Sequence, residues 1–365
     1  MEEGKTIIRL ESKLNLIFMN REDNHTFLSI IIPVYNGLTH DLPICLESIW
    51  LQPLDPSQYE VICVDDCSTD DTRRWLDEEA AKHSNMRVIK HSVNKRQGGG
   101  RNTGVKVAKG KYLLFIDQDD YYHQGVLLKI YKHLSVNDLD VLVTDSTLEY
   151  KGQVNNLLQL NYRNHTIIDG ETFVVVNGNP IAPWRLVTKR DFFMQNELYF
   201  EENTRIEDVD WGVKITYYAK QIQYLPILSV HYLKASTSTT DCLYKDKETI
   251  KDYIQAGVRT LDVANSLYRH SKARHKVVCL SAAYFDYGLK YMFGLNSSMR
   301  YKLMLLSFIP VIAENSQLVS FAKKHPYIIC AMSMISVPFF RAFRKYRQLK
   351  KAKELCVKSR QEACV

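Results

Sequence analysis

Residues 112–120 read Tyr-Leu-Leu-Phe-Ile-Asp-Gln-Asp-Asp, an apolar run that ends in three carboxylates. The apolar part predicts a buried strand, and the acids then lie at the end of that strand. Carboxylates this close repel one another and lose hydration on burial, and a divalent cation would offset both effects. Asp117, Asp119 and Asp120 therefore indicate a divalent-metal site, and a solvated acidic turn is the alternative.

A basic, glycine-rich segment lies just before this strand, at residues 94–104, and leads into a short helical pattern that reaches Ala108. Glycines let backbone N–H groups approach an anion, while Arg96 and Arg101 supply charge-assisted donors. The segment therefore predicts a cradle for phosphate groups. A phosphate cradle beside a metal-binding acid cluster favours a site for a nucleoside diphosphate.

The first 150 residues alternate between strand and helix patterns. Apolar runs predict strands at residues 28–34, 61–64, 87–90, 112–116 and 140–144. Helical spacing of apolar residues predicts helices at 42–50 and 123–134, and Ser68 or Thr69 can cap a further helix. Such alternation predicts a mostly parallel sheet with helices on both faces, whose ligands bind beyond the carboxyl ends of the strands.

Two further features fall at predicted strand ends. Pro33 and Tyr35 close the first strand, where the tyrosine ring can face a base. Asp65 and Asp66 close the second strand, where a carboxylate can accept a hydrogen bond from a base or a ribose. A turn tyrosine and a helix-capping acid are the ordinary alternatives. Together with the acidic and glycine-rich motifs, these residues predict one ligand crevice.

The positive charge of the chain is concentrated at its C-terminal end. Residues 341–365 carry nine basic and two acidic side chains, and this excess equals the formal net charge of +7 for all 365 residues. The rest of the chain is therefore neutral, which argues against a nucleic-acid-binding surface spread over the fold. The uncharged residues 326–340 precede this tail and are too few to span a bilayer, because a spanning helix needs about 20 apolar residues.

We expect the apolar segment and basic tail to form an interfacial element that contacts an anionic membrane surface. A packed C-terminal helix with a solvated basic end is the alternative. The eight cysteines are scattered singly and match no metal or redox motif, and the charged first 20 residues do not resemble a signal peptide. We therefore expect a cytoplasmic protein with reduced cysteines, peripheral at the inner face of the plasma membrane.

Four segments resemble the successive signatures of glycosyltransferase family 2. They are residues 29–36 (Ser-Ile-Ile-Ile-Pro-Val-Tyr-Asn), 64–70 (Val-Asp-Asp-Cys-Ser-Thr-Asp), 99–104 (Gly-Gly-Arg-Asn-Thr-Gly) and 115–120 (Phe-Ile-Asp-Gln-Asp-Asp). Further along, residues 183–190 resemble the acceptor-side strand of the family, and residues 205–211 resemble its Glu-Asp catalytic motif. One departure is Cys67, where the family usually has glycine. The resemblance is weak after residue 240.

The resemblance implies a GT-A fold, which is a Rossmann-like, mostly parallel sheet with helices on both faces, here followed by a C-terminal helical extension. The catalytic domain is expected at residues 27–240, with a nucleotide-sugar-binding half at 27–145 and an acceptor-binding half at 146–240. The remaining parts are an N-terminal extension at 1–26, a helical region at 241–325, and the apolar segment and basic tail at 326–365.

For the donor, the resemblance implies a nucleotide-diphospho-sugar, which we expect to be a UDP-sugar. Tyr35 would stack on the base, Pro33 would contact the base through its backbone, and Asp66 would accept from the imide edge. Asp117 would hold the ribose. The other residues on the nucleotide side would be Arg96, Gly99, Gly100, Arg101 and Gln118.

For the chemistry, the resemblance implies inversion at the anomeric carbon, with Mg²⁺ or Mn²⁺ held by Asp119. Asp208 would be the general base that takes a proton from an acceptor hydroxyl. Glu207 would orient the helix or a basic neighbour, and a swap of roles between these two acids stays open. His231 follows a short apolar strand and could reach the metal or the diphosphate, and residues 236–238 could close over the phosphates.

The expected acceptor is a glycan or a lipid-linked glycan of a bacterial surface-polysaccharide pathway, and nucleic acid is not an expected partner. Two other classes stay open. A nucleotidyltransferase shares the parallel sheet and the metal acids, but residues 33–36 lack the glycine loop and lysine expected after its first strand. A non-catalytic, membrane-apposed binding protein on the same fold is disfavoured because the chain retains Asp117, Asp119, Glu207 and Asp208.

Overall fold

The computed structural model describes residues 26–150, 152–156, 166–178, 182–234, 247–267 and 271–293. Within these ranges, strands and helices alternate through the first half of the chain, as the apolar patterns predict. The C-terminal tail at 326–365, the loop at 236–238 and nearly all of the N-terminal extension lie outside the described residues. The domain boundaries therefore stay predictions.

The described residues include every strand that the sequence predicts. The strands are β1 (Leu28–Val34), β2 (Tyr59–Asp65), β3 (Met86–Lys90), β4 (Tyr112–Phe115), β5 (Tyr121–Tyr122), β6 (Val141–Tyr150), β7 (Gln153–Asn156), β8 (Leu186–Lys189) and β9 (Ile222–Lys234). The strand predicted at residues 140–144 continues to Tyr150, because its second half pairs with β7 and β9.

Helices lie between these strands and after them. They are α1 (Leu42–Trp50), α2 (Thr72–Lys82), α3 (Arg96–Val107), α4 (Val126–Val136), α5 (Gly170–Asn177), α6 (Arg190–Gln195), α7 (Asp208–Tyr217), α8 (Lys247–Ser266) and α9 (Lys272–Phe293). Short 3-10 turns occur at Gly37–Thr39, Pro56–Gln58 and Pro183–Arg185. The helix predicted at 123–134 starts later, at Val126, because Gly125 before it has a left-handed backbone with φ of 74°.

The described strands form one sheet in the order β3-β2-β1-β4-β8-β6-β9-β5, and β7 pairs with β6. Strands β3, β2, β1 and β4 are mutually parallel, which confirms the arrangement predicted for the first half. In the second half, β8 lies antiparallel to β4 and β6, whereas β9 runs parallel to β6. The carboxyl ends of β1, β2 and β4 therefore meet at one edge, where open α/β sheets bind their ligands.

Strand β1 lies inside the parallel half, and its side chains alternate between two cores. Ile30 and Ile32 pack with Leu46 of α1 on one face. Ile31 packs with Val105 of α3 on the other face. Burial of one such side chain contributes about 1.5–3 kcal/mol. The continuous β-branched run in the sequence is thus explained by a strand that is covered on both faces.

Helices α8 and α9 pack against each other and against α5 and α7. Their shared core includes Val174 of α5, Val213 of α7, and Ile254 and Leu261 of α8. The apolar pattern of residues 247–293 is therefore explained by packing of these two helices on α5 and α7, and residues 294–325 of the predicted helical region lie outside the described residues. Among the described residues, no helix combines the length and the apolar character that crossing a bilayer requires.

Candidate active site

A cavity of about 600 Å³ opens at the carboxyl ends of β1, β2 and β4, beside the start of α7. The predicted site residues that line it are Pro33, Tyr35, Asp66, Arg96, Gln118, Asp119 and Glu207. The separate sequence motifs therefore do meet in one crevice. The predicted site residues that do not line it are Gly99, Gly100, Arg101, Asp117, Asp208 and His231.

Gln118 fixes the backbone at the end of β1. Its Oε1 accepts from the Tyr35 N–H at 2.9 Å, and its Nε2 donates to the Tyr35 carbonyl at 3.0 Å. A primary amide can make this reciprocal pair because it carries both donors and an acceptor. Tyr35 as a residue remains 44% exposed at the cavity wall. Gln118 therefore positions the tyrosine that is expected to meet the base.

Asn36 joins the end of β1 to the loop after β2. Its φ of 50° lies in the left-handed region, which asparagine tolerates better than most residues. Its N–H donates to Ser68 Oγ at 2.9 Å, and its Oδ1 accepts from the Thr69 N–H at 2.8 Å. The helix cap predicted at Ser68 or Thr69 was wrong, because these residues bind Asn36 and α2 begins only after Asp71.

Asp66 lies directly after β2 and is buried. Its Oδ1 accepts from the backbone N–H of Lys95 at 2.8 Å and lies 2.7 Å from His91 Nδ1. Asn94 Nδ2 donates to the Asp66 carbonyl at 3.0 Å. The acid is thus held firmly at the cavity wall by the segment between β3 and α3.

Cys67 has a φ of 67°, which is a left-handed conformation that strains a residue with a Cβ. Glycine, which is usual at this position in the resembled family, would adopt it without strain. The loop therefore keeps the backbone shape that favours glycine although the residue is cysteine.

Cys67→Gly is expected to raise the free energy of unfolding by about 1 kcal/mol. Relief of the left-handed strain gains about 1–2 kcal/mol, and the freedom of glycine in the unfolded chain offsets about 0.5–1 kcal/mol. Urea denaturation would measure the difference. Cys67→Ala is the matched control, because it removes the sulfur and keeps the Cβ. Equal stability of the two variants would contradict the strain argument.

The glycine-rich segment is helical, which corrects the predicted phosphate cradle. Helix α3 begins at Arg96, so residues 98–100 lie in its first turns and are buried. A Cβ on Gly98 would come within 2.2 Å of the Glu201 carbonyl oxygen. The glycines therefore permit close packing of the helix instead of opening a loop to an anion. An anion in the cavity would meet the N-terminal end of α3, where Arg96 lies.

Arg101, which the sequence placed on the nucleotide, is 1% exposed and lies inside the protein. Its Nη2 donates to Asp117 Oδ1 at 2.6 Å, and its Nη1 donates to Glu207 Oε1 at 2.5 Å. Its guanidinium also lies 5.3 Å from the centroid of the Phe200 ring. Arg101 thus links the two acids. The sequence predicted that Arg101 and Asp117 would face the ligand, but neither lines the cavity, because the two charges pair with each other.

Arg101→Met is expected to lower the free energy of unfolding by about 3–5 kcal/mol, because removal of one partner from a buried ion pair leaves uncompensated charge. The matched control is Arg73→Met, since Arg73 pairs with Asp77 on the surface, where such a pair contributes about 0–1 kcal/mol. Urea denaturation of both variants checks the difference. Similar losses in the two variants would contradict a stabilising role for the buried network.

Glu207 and Asp208 stand at the start of α7. Glu207 is buried and ion-paired to Arg101, which is the basic neighbour that the sequence interpretation anticipates. Burial, together with the Glu207 charge, raises the pKa of the Asp208 carboxyl to about 8. A carboxyl with a pKa near the working pH can accept and return a proton efficiently, which suits a general base.

The C-terminal helices hold this acidic motif from outside. Arg259 of α8 donates from Nε to Asp210 Oδ1 at 3.0 Å and from Nη2 to the Ile206 carbonyl. Asp252 of α8 accepts from the backbone N–H of Arg205 at 3.1 Å. Helix α8 therefore positions the segment that carries Glu207 and Asp208.

Asp119 lines the cavity, and burial together with the Asp117 charge raises the pKa of its carboxyl to about 6. Asp120 is buried; its Oδ1 accepts from the Leu233 N–H at 3.1 Å, and its Oδ2 has no hydrogen-bond partner in the described structure. The described ranges contain no group of three or more side-chain ligands suited to a metal ion. A single carboxylate such as Asp119 still fits Mg²⁺, because this ion usually takes one or two carboxylates and completes its shell with phosphate oxygens and water.

His231 lies on β9, away from the cavity wall. Its Nδ1 is 2.8 Å from Thr147 Oγ1, its Nε2 is 2.9 Å from Glu149 Oε2, and its ring stacks on Tyr121. Both ring nitrogens therefore have protein partners, and this geometry does not support the predicted contact with a metal or a diphosphate.

Several residues that line the cavity were not named singly as site residues in the sequence analysis, although some of them lie in its motifs. They are Val34, Thr39, His40, Asp41, Asn94, Gln97, Thr204, Arg205 and Leu233. The rule that ligands bind at carboxyl ends of strands could have found the residues after β1 and Asn94 after β3. The sequence carries no comparable signal for Leu233, which reaches the cavity because β9 pairs beside β5.

A parallel half-sheet joined to a mixed half, with acids from both halves at one cavity, is the arrangement expected of the GT-A fold. Residues 29–194 match the family described as Glycosyl transferase family 2. Residues 29–194 are therefore similar to a family 2 glycosyltransferase domain.

Two curated relatives and one solved structure give the degree of likeness. The poly(ribitol-phosphate) beta-glucosyltransferase of Bacillus spizizenii is 42% identical over 116 residues, which are 31% of this chain and 18% of that protein. The poly(ribitol-phosphate) beta-N-acetylglucosaminyltransferase TarS of Staphylococcus aureus is 26% identical over 210 residues, which are 56% and 35%. The chain thus spans well under two thirds of either relative.

The crystal structure of S. aureus TarS 1-349 in complex with UDP-GlcNAc matches with a TM-score of 0.62 and 20% identity. The match covers 88% of this chain and 92% of that one. It shows that the two proteins share a fold.

Proposed function

We propose that this protein is an inverting glycosyltransferase that moves a sugar from a nucleotide-diphospho-sugar to a glycan or lipid-linked acceptor. One observation carries the proposal. A single cavity is lined by Tyr35, Asp66, Asp119 and Glu207. These residues supply the base-recognising, metal-binding and acidic groups that the reaction needs, and Asp208 follows Glu207 directly.

The donor end of the cavity suits a base with an N–H at its edge. Asp66 uses Oδ1 for bonds within the protein, and its Oδ2 has no protein partner in the described structure, so Oδ2 can accept from an imide. The exposed ring of Tyr35 can stack on the same base. Uracil has an imide N–H, and the binding of UDP-GlcNAc by a protein of the same fold supports a UDP-sugar as donor.

Asp119 would hold Mg²⁺ or Mn²⁺ together with phosphate oxygens of the donor. The bound cation would supply Lewis-acid stabilisation of the negative charge on the departing nucleoside diphosphate. Arg96 also lines the cavity and can contribute positive charge there.

Asp208 would accept the proton of an acceptor hydroxyl as that oxygen attacks the anomeric carbon. The bond between the anomeric carbon and the diphosphate breaks in the same displacement, and the proton stays on Asp208. No covalent enzyme intermediate is needed, so the configuration inverts. Burial raises the pKa of the Glu207 carboxyl and the paired Arg101 opposes that rise, and negative charge on Glu207 would in turn favour protonation of Asp208.

Release of nucleoside diphosphate from a panel of nucleotide sugars, with and without Mn²⁺, tests this function. A glycosyltransferase should release it from one donor class only when metal is present, slowly by hydrolysis and faster with an acceptor. A nucleotidyltransferase would instead release pyrophosphate from nucleoside triphosphates. Donor binding without any turnover would identify a non-catalytic binding protein.

Two considerations support the acceptor and the location. Both curated relatives are named for action on poly(ribitol-phosphate), which supports a polyol or glycan chain as acceptor. The basic residues 341–365, outside the described structure, would hold the enzyme at the cytoplasmic face of an anionic membrane, where a lipid-linked acceptor is presented.

Removal of residues 341–365 is expected to weaken binding to anionic vesicles and activity on lipid-linked acceptors, and to spare donor hydrolysis. Each Lys or Arg near such a surface contributes about 1 kcal/mol, which salt attenuates. Vesicle sedimentation at low and high salt measures the effect. Equal sedimentation of the full-length and truncated proteins at low salt would show that the tail is a solvated basic end.

A further inference from the structure

A chain of hydrogen bonds lies behind Asp66, outside the cavity wall. His91, which is 8% exposed, follows β3, and Thr103 lies on α3. His91 Nδ1 is 2.7 Å from Asp66 Oδ1, and His91 Nε2 is 2.8 Å from Thr103 Oγ1. The chain therefore connects α3, through the histidine, to the acid that faces the ligand.

The partners of Asp66 fix the direction of its hydrogen bond with His91. The backbone N–H of Lys95 can only donate, so Asp66 Oδ1 acts as an acceptor. His91 Nδ1 must then carry its proton, because two acceptors 2.7 Å apart would repel each other. In a neutral imidazole, Nε2 is the acceptor, and the Thr103 hydroxyl donates to it. Asp66 thereby selects the tautomer, and Thr103 holds the other side of the ring.

These contacts also fix the rotation of the carboxylate. Lys95 and His91 both bind Oδ1, and neither residue lines the cavity. The oxygen left for a ligand is Oδ2, on the residue that forms the wall. A held acceptor bonds well to a ring N–H of a base and is repelled by an unprotonated ring nitrogen.

We propose that His91, supported by Thr103, is a positioning residue that holds Asp66 with Oδ2 toward the nucleobase and so sets selectivity for bases with a ring N–H. The inference rests on the proposed donor site. Uracil and cytosine test it directly, because ring position N3 carries a hydrogen in uracil and is an acceptor in cytosine. The ratio of the Kd for CDP to the Kd for UDP therefore reports how well Asp66 is held.

The experiment compares UDP and CDP binding by calorimetry, in the presence of Mn²⁺, for the full chain and its variants. The wild-type protein should bind UDP at least about tenfold more tightly than CDP, the effect of one charge-assisted hydrogen bond. His91→Leu should lose about tenfold in UDP affinity and bring the ratio near one. Thr103→Val should lose less UDP affinity, because it removes the hydrogen bond at Nε2 but leaves the contact of Nδ1 with Asp66 in place.

Two amide variants separate positioning from packing. The side-chain nitrogen of asparagine can take the place of Nδ1, so His91→Asn should keep UDP affinity within about threefold of the wild type. The amide of glutamine reaches the place of Nε2 instead, so His91→Gln should behave like His91→Leu. The matched control is His133→Leu, because His133 binds Gln223 and does not line the cavity.

Equal behaviour of the asparagine and glutamine variants, or equal losses for UDP and CDP, would reduce His91 to a packing role and overturn the inference. Unchanged selectivity in His91→Leu, with a selective wild-type protein, would overturn it and leave the donor site intact. A folded wild-type protein that binds UDP and CDP equally, or binds neither, would refute the proposed role of Asp66 and the inference with it.

Discussion

Asp208→Asn is expected to lower turnover by about 10²–10⁴-fold and to leave donor binding unchanged, because a positioned general base contributes about that much. Asparagine keeps the shape of the side chain but cannot take the acceptor proton. Initial rates of sugar transfer measure the loss, and calorimetry with UDP measures donor binding. The matched control is Asp191→Asn, because Asp191 is exposed at the start of α6 and outside the cavity.

The same carboxyl predicts the pH dependence of the wild-type enzyme. A base must be ionised, so kcat/KM should rise about tenfold per pH unit below a pKa of about 8 and level off above it. The residual activity of Asp208→Asn should lack this slope. Unchanged turnover in Asp208→Asn with retained donor binding would move the role of base to Glu207.

The raised pKa of Asp208 also has a consequence for stability. The folded state holds the proton more tightly than the unfolded chain, whose ordinary value is 3.8, so ionisation destabilises the fold. The free energy of unfolding of the wild-type protein should therefore fall as pH rises between these two values, relative to Asp208→Asn. A variant that is less stable than the wild type at pH 9 would contradict this assignment.

Asp119→Asn is expected to abolish measurable metal-dependent turnover without unfolding the protein. Asp119 lines the cavity and supplies an anionic oxygen of the kind that Mg²⁺ and Mn²⁺ require. Its carboxyl has a pKa raised to about 6 by burial and by Asp117, so a neutral amide relieves repulsion and should not lower stability. Release of nucleoside diphosphate against Mn²⁺ concentration, with thermal unfolding in parallel, checks both statements.

The control for this variant is Asp71→Asn, since Asp71 is exposed before α2 and outside the cavity. It should match the wild type at every Mn²⁺ concentration. Full activity of Asp119→Asn at low Mn²⁺ would remove the metal assignment. Partial recovery only at high Mn²⁺ would agree with loss of one ligand among several.

The parallel half of the fold follows from local sequence because each element there repeats its own pattern. Residues 28–34 form a strand buried on both faces, and residues 42–50 form the helix that covers one of them. The apolar pattern was less informative where pairing with a neighbouring strand decides how far a strand extends. Strand β6 runs beyond the predicted end because β9 and β7 supply partners, and a partner strand leaves no mark in the segment itself.

The candidate site shows the same division. The positions of Tyr35, Asp66, Asp119 and Glu207 at one cavity could be predicted, because three follow parallel strands and the fourth starts a helix. The role of Arg101 could not be predicted from the sequence. Its motif reads as an exposed basic segment, yet its guanidinium is buried between acids that are 16 and 106 residues away in sequence.

The sequence by itself determined the alternating strands and helices of the first half, the acids at the strand ends and the resemblance to the family, because these depend on short-range patterns of apolar, glycine and acidic residues. The tertiary structure decided which charges face the ligand and which neutralise one another. Arg101, His91 and His231 are all polar residues beside the motifs, but only their packing partners show that each is bound within the protein. A buried charge is stable only with a partner, and long-range folding selects that partner.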